Sequence, residues 1–436
     1  MITSFVDMFR NKDVRKRIFF TLLILFVFRL GAQIPVPNVT TSIGESNDLV
    51  NMMNLLGGGA LDKLSIFSLG VGPYITASII IQLLSMDVIP HLTELAKAGQ
   101  TGRKQLDKYT RYLSVVLSFI QAYTTTLVLT DSNGASILVN SNTSGFMYVA
   151  TVFTAGSMFL LWLADRISMY GIGNGVSIII MAGIVADIPY QFQQAFSTLT
   201  TGTSGSSFFN GVLTFGGFIL VYLLIIILVV FMQTAVRKIP IQYTSSTVQV
   251  KNREMTYLPL KINSASVIPV IFASAIMIAP VTITTLLINN GIVQTSGFTT
   301  EMSNLLSMQT PTSLCIYGVL IILFTFFYTK LTVDPEKIAE NLSKSGTYIP
   351  GIRPGKETKE YVNRVLCRIT VLGAIGLCFV ALLPHFAPML ITSLPSSFKL
   401  GGTGMIIVVG VAMETVAQLK GQVTAKSYRG FMGIKR

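Results

Sequence analysis

The sequence predicts an all-α polytopic membrane protein with ten transmembrane helices. Three observations carry that prediction. Mean hydropathy is +0.64, with 51% hydrophobic and only 12% charged residues, about half the charge of a typical soluble domain. Ten apolar runs approach the roughly 20 residues that a spanning helix needs. Basic residues gather in alternate connections between those runs, as they do when one side of a membrane is favoured.

In order, the expected spans are Ile18–Ile34, Pro73–Ile89, Tyr112–Leu129, Phe146–Leu163, Asn174–Ile188, Val212–Gln233, Val267–Ile288, Thr312–Leu331, Cys367–Phe386 and Thr403–Gln418. The segment before the first span is basic, and no small-residue cleavage site follows that span, so it is expected to be retained. Arg10, Lys12, Arg15, Lys16 and Arg17 precede it. All 32 Lys and Arg except Arg29, Lys63 and Lys399 fall on that same side. The positive-inside rule then makes both termini cytoplasmic, and the net charge of +13 becomes a property of the cytoplasmic face. Anionic phospholipid is a sufficient partner for most of it.

Ten spans divide into five and five, with the second half starting from the opposite side. That is the arithmetic of an inverted repeat. The expected division is residues 1–190 as the N-terminal half and 191–211 as an external linker. Residues 212–436 form the C-terminal half, with cytoplasmic loops 235–263 and 332–366.

One stretch departs from a simple anchor. Gly57–Leu84, GGGALDKLSIFSLGVGPYITASIIIQLL, is apolar but interrupted by glycines, Asp62–Lys63 and Gly72–Pro73. Broken backbone at membrane depth is tolerated only where protein covers it or where it lines a wet cavity. Val71 and Ile75 share a helix face after this break. A second break, YGIGNGVSIII, is followed by Val176 and Ile180 at the same spacing. Four bulky apolar side chains at two breaks suit a hydrophobic constriction, which blocks water by dewetting. The same spacing also suits lipid-facing or packing residues.

No catalytic set is seen. His91 and His385 flank spans on opposite sides, and HExxH, GxSxG and Walker patterns are absent. Cys315, Cys367 and Cys378 lack metal-ligand spacing and read as reduced packing residues. No cofactor or metal is expected. Arg29 is an intramembrane charge that either snorkels outward or pairs within the bundle.

Further stretches carry a resemblance. Gly57–Leu84, YGIGNGVSIIIMAGIVA, LPLKINSASVIPVIFA, YIPGIRPGKET and YRGF occur in the order found in bacterial SecY proteins. The chain resembles that family from Val14 to Phe431, most closely its Gram-positive members. The family forms the pore of the general protein-translocation channel of the cell membrane.

The resemblance implies a clamshell of two five-helix halves. Gly57–Ser68 would be a re-entrant plug helix, including Gly57, Gly58, Gly59, Leu61, Leu64 and Phe67. A pore ring would comprise Val71, Ile75, Val176, Ile180, Ile271 and Ile407. A lateral gate between spans two and three and spans seven and eight would include Thr76, Gln121 and Asn263. Arg353, Pro354, Gly355, Lys251 and Arg253 would meet the SecA ATPase or the ribosome. SecE and SecG would complete a heterotrimer. Signal peptides and unfolded secretory or membrane proteins would be the cargo. The sequence departs from the family pattern at Asn263-Ser-Ala-Ser266, which lacks a usual proline, at Leu163-Ala-Asp-Arg166, and in a short loop after span six. These departures leave room for an accessory member with restricted substrates. A small-solute transporter is the rival reading, but the breaks lead into valines and isoleucines rather than substrate-binding polar groups.

Overall fold

A computed structural model of the protein describes residues 12–37, 39, 60–61, 63–86, 88–132, 143–200, 206–243, 257–289, 310–390 and 397–431. Each of the ten expected spans coincides with a helix. In the N-terminal half these are α1 (Lys12–Gly31), α2 (Gly72–Leu84), α4 (Gly99–Ser132), α5 (Thr143–Tyr170) and α6 (Gly175–Thr200), with a short α3 (Pro90–Lys97) after α2. In the C-terminal half they are α7 (Ser206–Thr234), α8 (Ile268–Asn289), α9 (Pro311–Thr332), α11 (Lys356–Leu390) and α12 (Ser397–Phe431), with a short α10 (Pro335–Lys344) after α9. Among the described residues, six of them, α5, α6, α7, α9, α11 and α12, contain a stretch long and apolar enough to cross a membrane. The protein is a multi-pass membrane protein.

The helices differ from the expected spans where local chemistry intervenes. The second span stops at Leu84, not Ile89. Ile89 is extended (φ −115, ψ 111) because it precedes Pro90, which starts α3. Arg29 lies in the last turn of α1, where terminal carbonyls favour a positive charge. The expected linker 191–211 is helical over 191–200 and 206–211. There Phe192 meets Phe215, Phe218 and Tyr222 edge-on, with ring centroids 5.1 to 6.5 Å apart.

α1 shows why burial follows one face. Ile24 and Phe28 are buried a turn apart, while Phe19, Leu22, Phe26 and Leu30 are exposed. A bilayer accepts such side chains without cost. Within the first half α2 packs on α4, α4 on α5, and α5 on α1 and α6. Within the second half α8 packs on α9, α9 on α11, and α12 on α7 and α11. The halves meet along two seams. One joins α6 to α7 and α12; the other joins α8 to α2 and α4.

Strands appear that the sequence reading did not anticipate. β1 (Val236–Pro240) pairs antiparallel with β3 (Tyr257–Lys261), setting Val236 opposite Lys261 and Pro240 opposite Tyr257. β2 (Gln242–Tyr243) pairs with β4 (Thr347–Tyr348). The second pairing ties the two basic loops together. Buried Ile239, Leu260, Ile349, Val362 and Ile369 form one apolar cluster beneath them. Asp334 caps α10 by accepting from the Glu336 and Lys337 N–H groups at 3.0 and 3.4 Å. Slight burial works against its charge, but those N–H groups and the Lys337 ammonium hold its carboxyl below the ordinary range.

Candidate functional site

The segment after the first glycines is seated by many small contacts. Of the expected plug residues, Gly57, Gly58 and Gly59 lie outside the described residues. Ala60, Leu61 and 63–71 are described, and they form turns rather than the expected helix. The reason is local. Ser65 and Ser68 hydroxyls both donate to the Ala60 carbonyl, at 3.0 and 3.2 Å, a competition with helical bonding that short polar side chains offer. Leu64 takes a left-handed φ of 44. The main chain also bonds outward. Val36 N–H donates to Leu64 O at 3.0 Å, and Ile66 N–H to Ile34 O at 3.1 Å.

Glycines make this seat possible. A Cβ on Gly156 of α5 would lie 2.0 Å from the Ile66 carbonyl oxygen, and one on Gly31 of α1 would lie 2.1 Å from the Phe67 ring. Phe67 then stacks between Phe28 and Phe159, at 6.1 and 6.0 Å. The next residue after Gly156, Ser157, donates to Gly70 O at 2.5 Å. Leu61 and Leu64 are buried beside Val36, Ala122, Val149 and Phe153. The segment is thus held between α1, α4 and α5.

The second break is built in a similar way. Gly173 has φ +71, which ends the turn after α5. Asn174 Oδ1 accepts from Val176 N–H at 3.1 Å, and Ser168 Oγ accepts from Gly175 N–H at 2.9 Å. A Cβ on Gly175 would stand 1.8 Å from the Ala164 carbonyl oxygen. The start of α6 is therefore pressed against α5, which fixes where Val176 and Ile180 project.

The structure brings the six expected ring residues into one apolar cluster. Val71, Ile75, Ile180, Ile271 and Ile407 are buried within it, and half-buried Val176 packs against it. They come from α2, α6, α8, α12 and the residue before α2. Ala60 and Phe67 of the seated segment belong to the same cluster.

The expected polar gate cluster is not joined in this way. Thr76 donates to Gly72 O within its own helix, at 3.3 Å. Asn263 Nδ2 donates to Ser266 O at 2.9 Å. Ser266 has a left-handed φ of 56 just before α8, and buried Asn263 is turned inward to hold that turn. Among the described residues no hydrogen bond links Thr76, Gln121 and Asn263. A different pair spans the seam region instead. Tyr328 of α9 donates to Gln82 Oε1 of α2 at 2.6 Å. The sequence signal for it is weak, namely a glutamine inside the apolar run IIIQLL.

Arg353 is exposed on a loop whose shape comes from its main chain. Its N–H donates to Glu357 Oε2 at 3.3 Å, and its carbonyl accepts from Thr358 Oγ1 at 2.8 Å. Gly351 and Gly355 on either side have φ +82 and +101. Pro354 and Gly355 close the turn before α11. Lys251 and Arg253 lie outside the described residues.

The sequence profile named SecY matches residues 65–416. The chain belongs to the SecY family. The protein translocase subunit SecY of Staphylococcus aureus (strain NCTC 8325 / PS 47) is 42% identical over 438 residues, covering 99% of this chain and 100% of that one. That of Bacillus licheniformis is 43% identical over 437 residues, with the same coverage. The fold is shared with solved SecY-type channels. A structure described as a protein-conducting channel superposes with a TM-score of 0.65 at 21% identity, covering 93% of this chain and 91% of that one. Sec61 from the canine ribosome–channel complex gives 0.62 at 19% identity over the same shares.

Proposed function

We propose that the protein is the channel-forming subunit of a protein translocase. It is a passive, gated conduit for unfolded polypeptides, with lateral release of hydrophobic segments into the bilayer. The observation that carries this reading is the 42% identity to a translocase subunit over almost the full length of both chains.

Within that reading each part has a physical task. The seated segment, Ala60 to Gly70, closes the resting channel. Val71, Ile75, Val176, Ile180, Ile271 and Ile407 form the ring around a passing chain. An apolar ring excludes water when it is empty. It also treats cargo evenly, because a fixed charge would bind some segments and repel others. The seam of α8 against α2 and α4 is the lateral gate, and the α6–α7 seam is the hinge. Chain continuity and the Phe192 aromatic cluster support the hinge assignment.

The chain itself supplies no fuel. SecA, or a translating ribosome, pushes the cargo and docks on the tied basic loops, with Arg353 as the leading contact. Ribosomal phosphate is attracted to such loops in a salt-dependent way. SecE and SecG are the membrane partners. The location is the plasma membrane, with both termini cytoplasmic, on the side that carries the basic residues.

The test is transport by the full chain reconstituted with SecE, SecG and SecA in proteoliposomes. A secretory precursor should become protease-protected under ATP. No protection of any precursor, despite correct assembly, would overturn the proposal.

A further inference from the structure

The contact between Gln82 and Tyr328 is placed where no part of the reading above has a use for it. The two residues are 246 positions apart, one in each half, and the hydroxyl donates to the amide oxygen at 2.6 Å. Both lie near the C-terminal ends of their helices, α2 and α9. Both helices pack on α8, so the bond reaches past that helix from one half to the other. The ring residues Val71 and Ile75 lie at the other end of α2. On the topology given by the basic loops, the bond is at the cytoplasmic mouth of the seam, where an incoming segment first arrives.

The pair is also held in place from both sides. Gln82 Nε2 donates to Ser78 Oγ at 2.8 Å one turn earlier, which orients the amide with its oxygen toward Tyr328. The Tyr328 ring is buried and stands edge-on to Phe272 of α8, centroids 4.8 Å apart, and to Phe327 at 5.3 Å. Ser78, Gln82, Tyr328 and Phe272 thus form a continuous path across α2, α9 and α8.

We propose that Gln82 and Tyr328 form a clasp that sets how hydrophobic a segment must be to open the seam. The proposal rests on the gate reading of that seam. Opening must part the bond, and an apolar helix that enters offers neither polar group a replacement. The entering segment therefore offsets the loss through its own transfer into lipid. Strongly hydrophobic segments do so easily, and weakly hydrophobic ones only in part. Interhelical hydrogen bonds in membranes average a strength that corresponds to about a three-fold shift in an equilibrium.

The experiment uses the full chain reconstituted with SecE, SecG and SecA, and two precursors that differ only in the hydrophobicity of the signal core. Tyr328→Phe keeps the ring and its packing on Phe272. Gln82→Met keeps the length of the side chain. Each single variant should raise transport of the weak-signal precursor about three-fold and leave the strong-signal precursor unchanged. The double variant should match the singles, because one bond is removed only once. An unchanged weak-to-strong ratio in Tyr328→Phe would overturn the clasp, as would effects that add in the double variant. If the parent complex moves neither precursor, the channel reading falls and takes the clasp with it. If the parent moves both and Tyr328→Phe changes nothing, only the clasp falls.

Discussion

Gly156→Ala is the smallest change that should unseat the segment from Ala60 to Gly70. The new Cβ would stand 2.0 Å from the Ile66 carbonyl oxygen, whereas ordinary contact begins at 3.4 Å, so one side must retreat by about 1.4 Å. The obstacle is main chain, and no side-chain rotation relieves it. The retreat also stretches the Ser157–Gly70 bond next to it and slides Phe159 against Phe67. Overpacking of this kind costs about 1–3 kcal/mol. Alanine favours helix over glycine by about 1 kcal/mol, but that gain exists whether or not the segment is seated, and it cancels. The ratio of seated to unseated protein should therefore fall by about five-fold to about 150-fold, taking 1.4 kcal/mol as ten-fold. Small-ion efflux from proteoliposomes holding the resting complex reads this directly and should rise at least about five-fold. Gly216→Ala is the control, since its Cβ would meet nothing within 4 Å. If Gly156→Ala inserts normally and leaks no more than Gly216→Ala, the close approach does not hold the seal.

Other perturbations separate the parts. Gly31→Ala should leak less than Gly156→Ala, because its 2.1 Å clash is with the Phe67 ring rather than main chain; equal leaks in the same efflux assay would contradict this. Asp334→Ala should speed amide exchange at Glu336 and Lys337 about five-fold, from a cap strength of about 1 kcal/mol. Because the folded Asp334 carboxyl lies below its ordinary value of 3.8, its contribution is complete above that value. It is lost as pH falls through the lower, folded value, so parent and variant should converge in acid. Arg353→Glu should abolish SecA-driven transport while leaving exchange across the start of α11 unchanged, since the loop is shaped by the Arg353 main chain. Full SecA-driven transport by that variant would remove Arg353 from the motor contact.

The helices were readable because lipid demands long apolar runs, and each expected run is helical here. Their ends were not, because ends depend on single residues such as Ile89 before Pro90. Val71, Ile75, Val176 and Ile180 could be found from breaks and spacing. Ile271 and Ile407 sit in unbroken apolar helices and needed the family resemblance. The resemblance implies a helix over Gly57–Ser68, and the turns found at Ala60, Leu61 and 63–71 were not legible, since no apolar pattern shows two serines bonding back to Ala60. β2 and β4 are two residues each and exist only through each other, so neither carries a local signal. Gln82 and Tyr328 illustrate the same limit. Each is an ordinary polar residue in an apolar helix until the fold places them 2.6 Å apart.

The most direct measurement of the channel reading is site-specific photo-crosslinking to a translocating chain arrested in the reconstituted complex. Probes would replace Ile75, Ile180, Ile271 and Ile407 in the buried cluster, with Phe231 on the exposed face of α7 as the comparison. The expected result is crosslinking of the arrested chain from all four cluster positions and none from Phe231. Crosslinks from Phe231 equal to those from the cluster, or none from the cluster while transport proceeds, would contradict a pore through these residues.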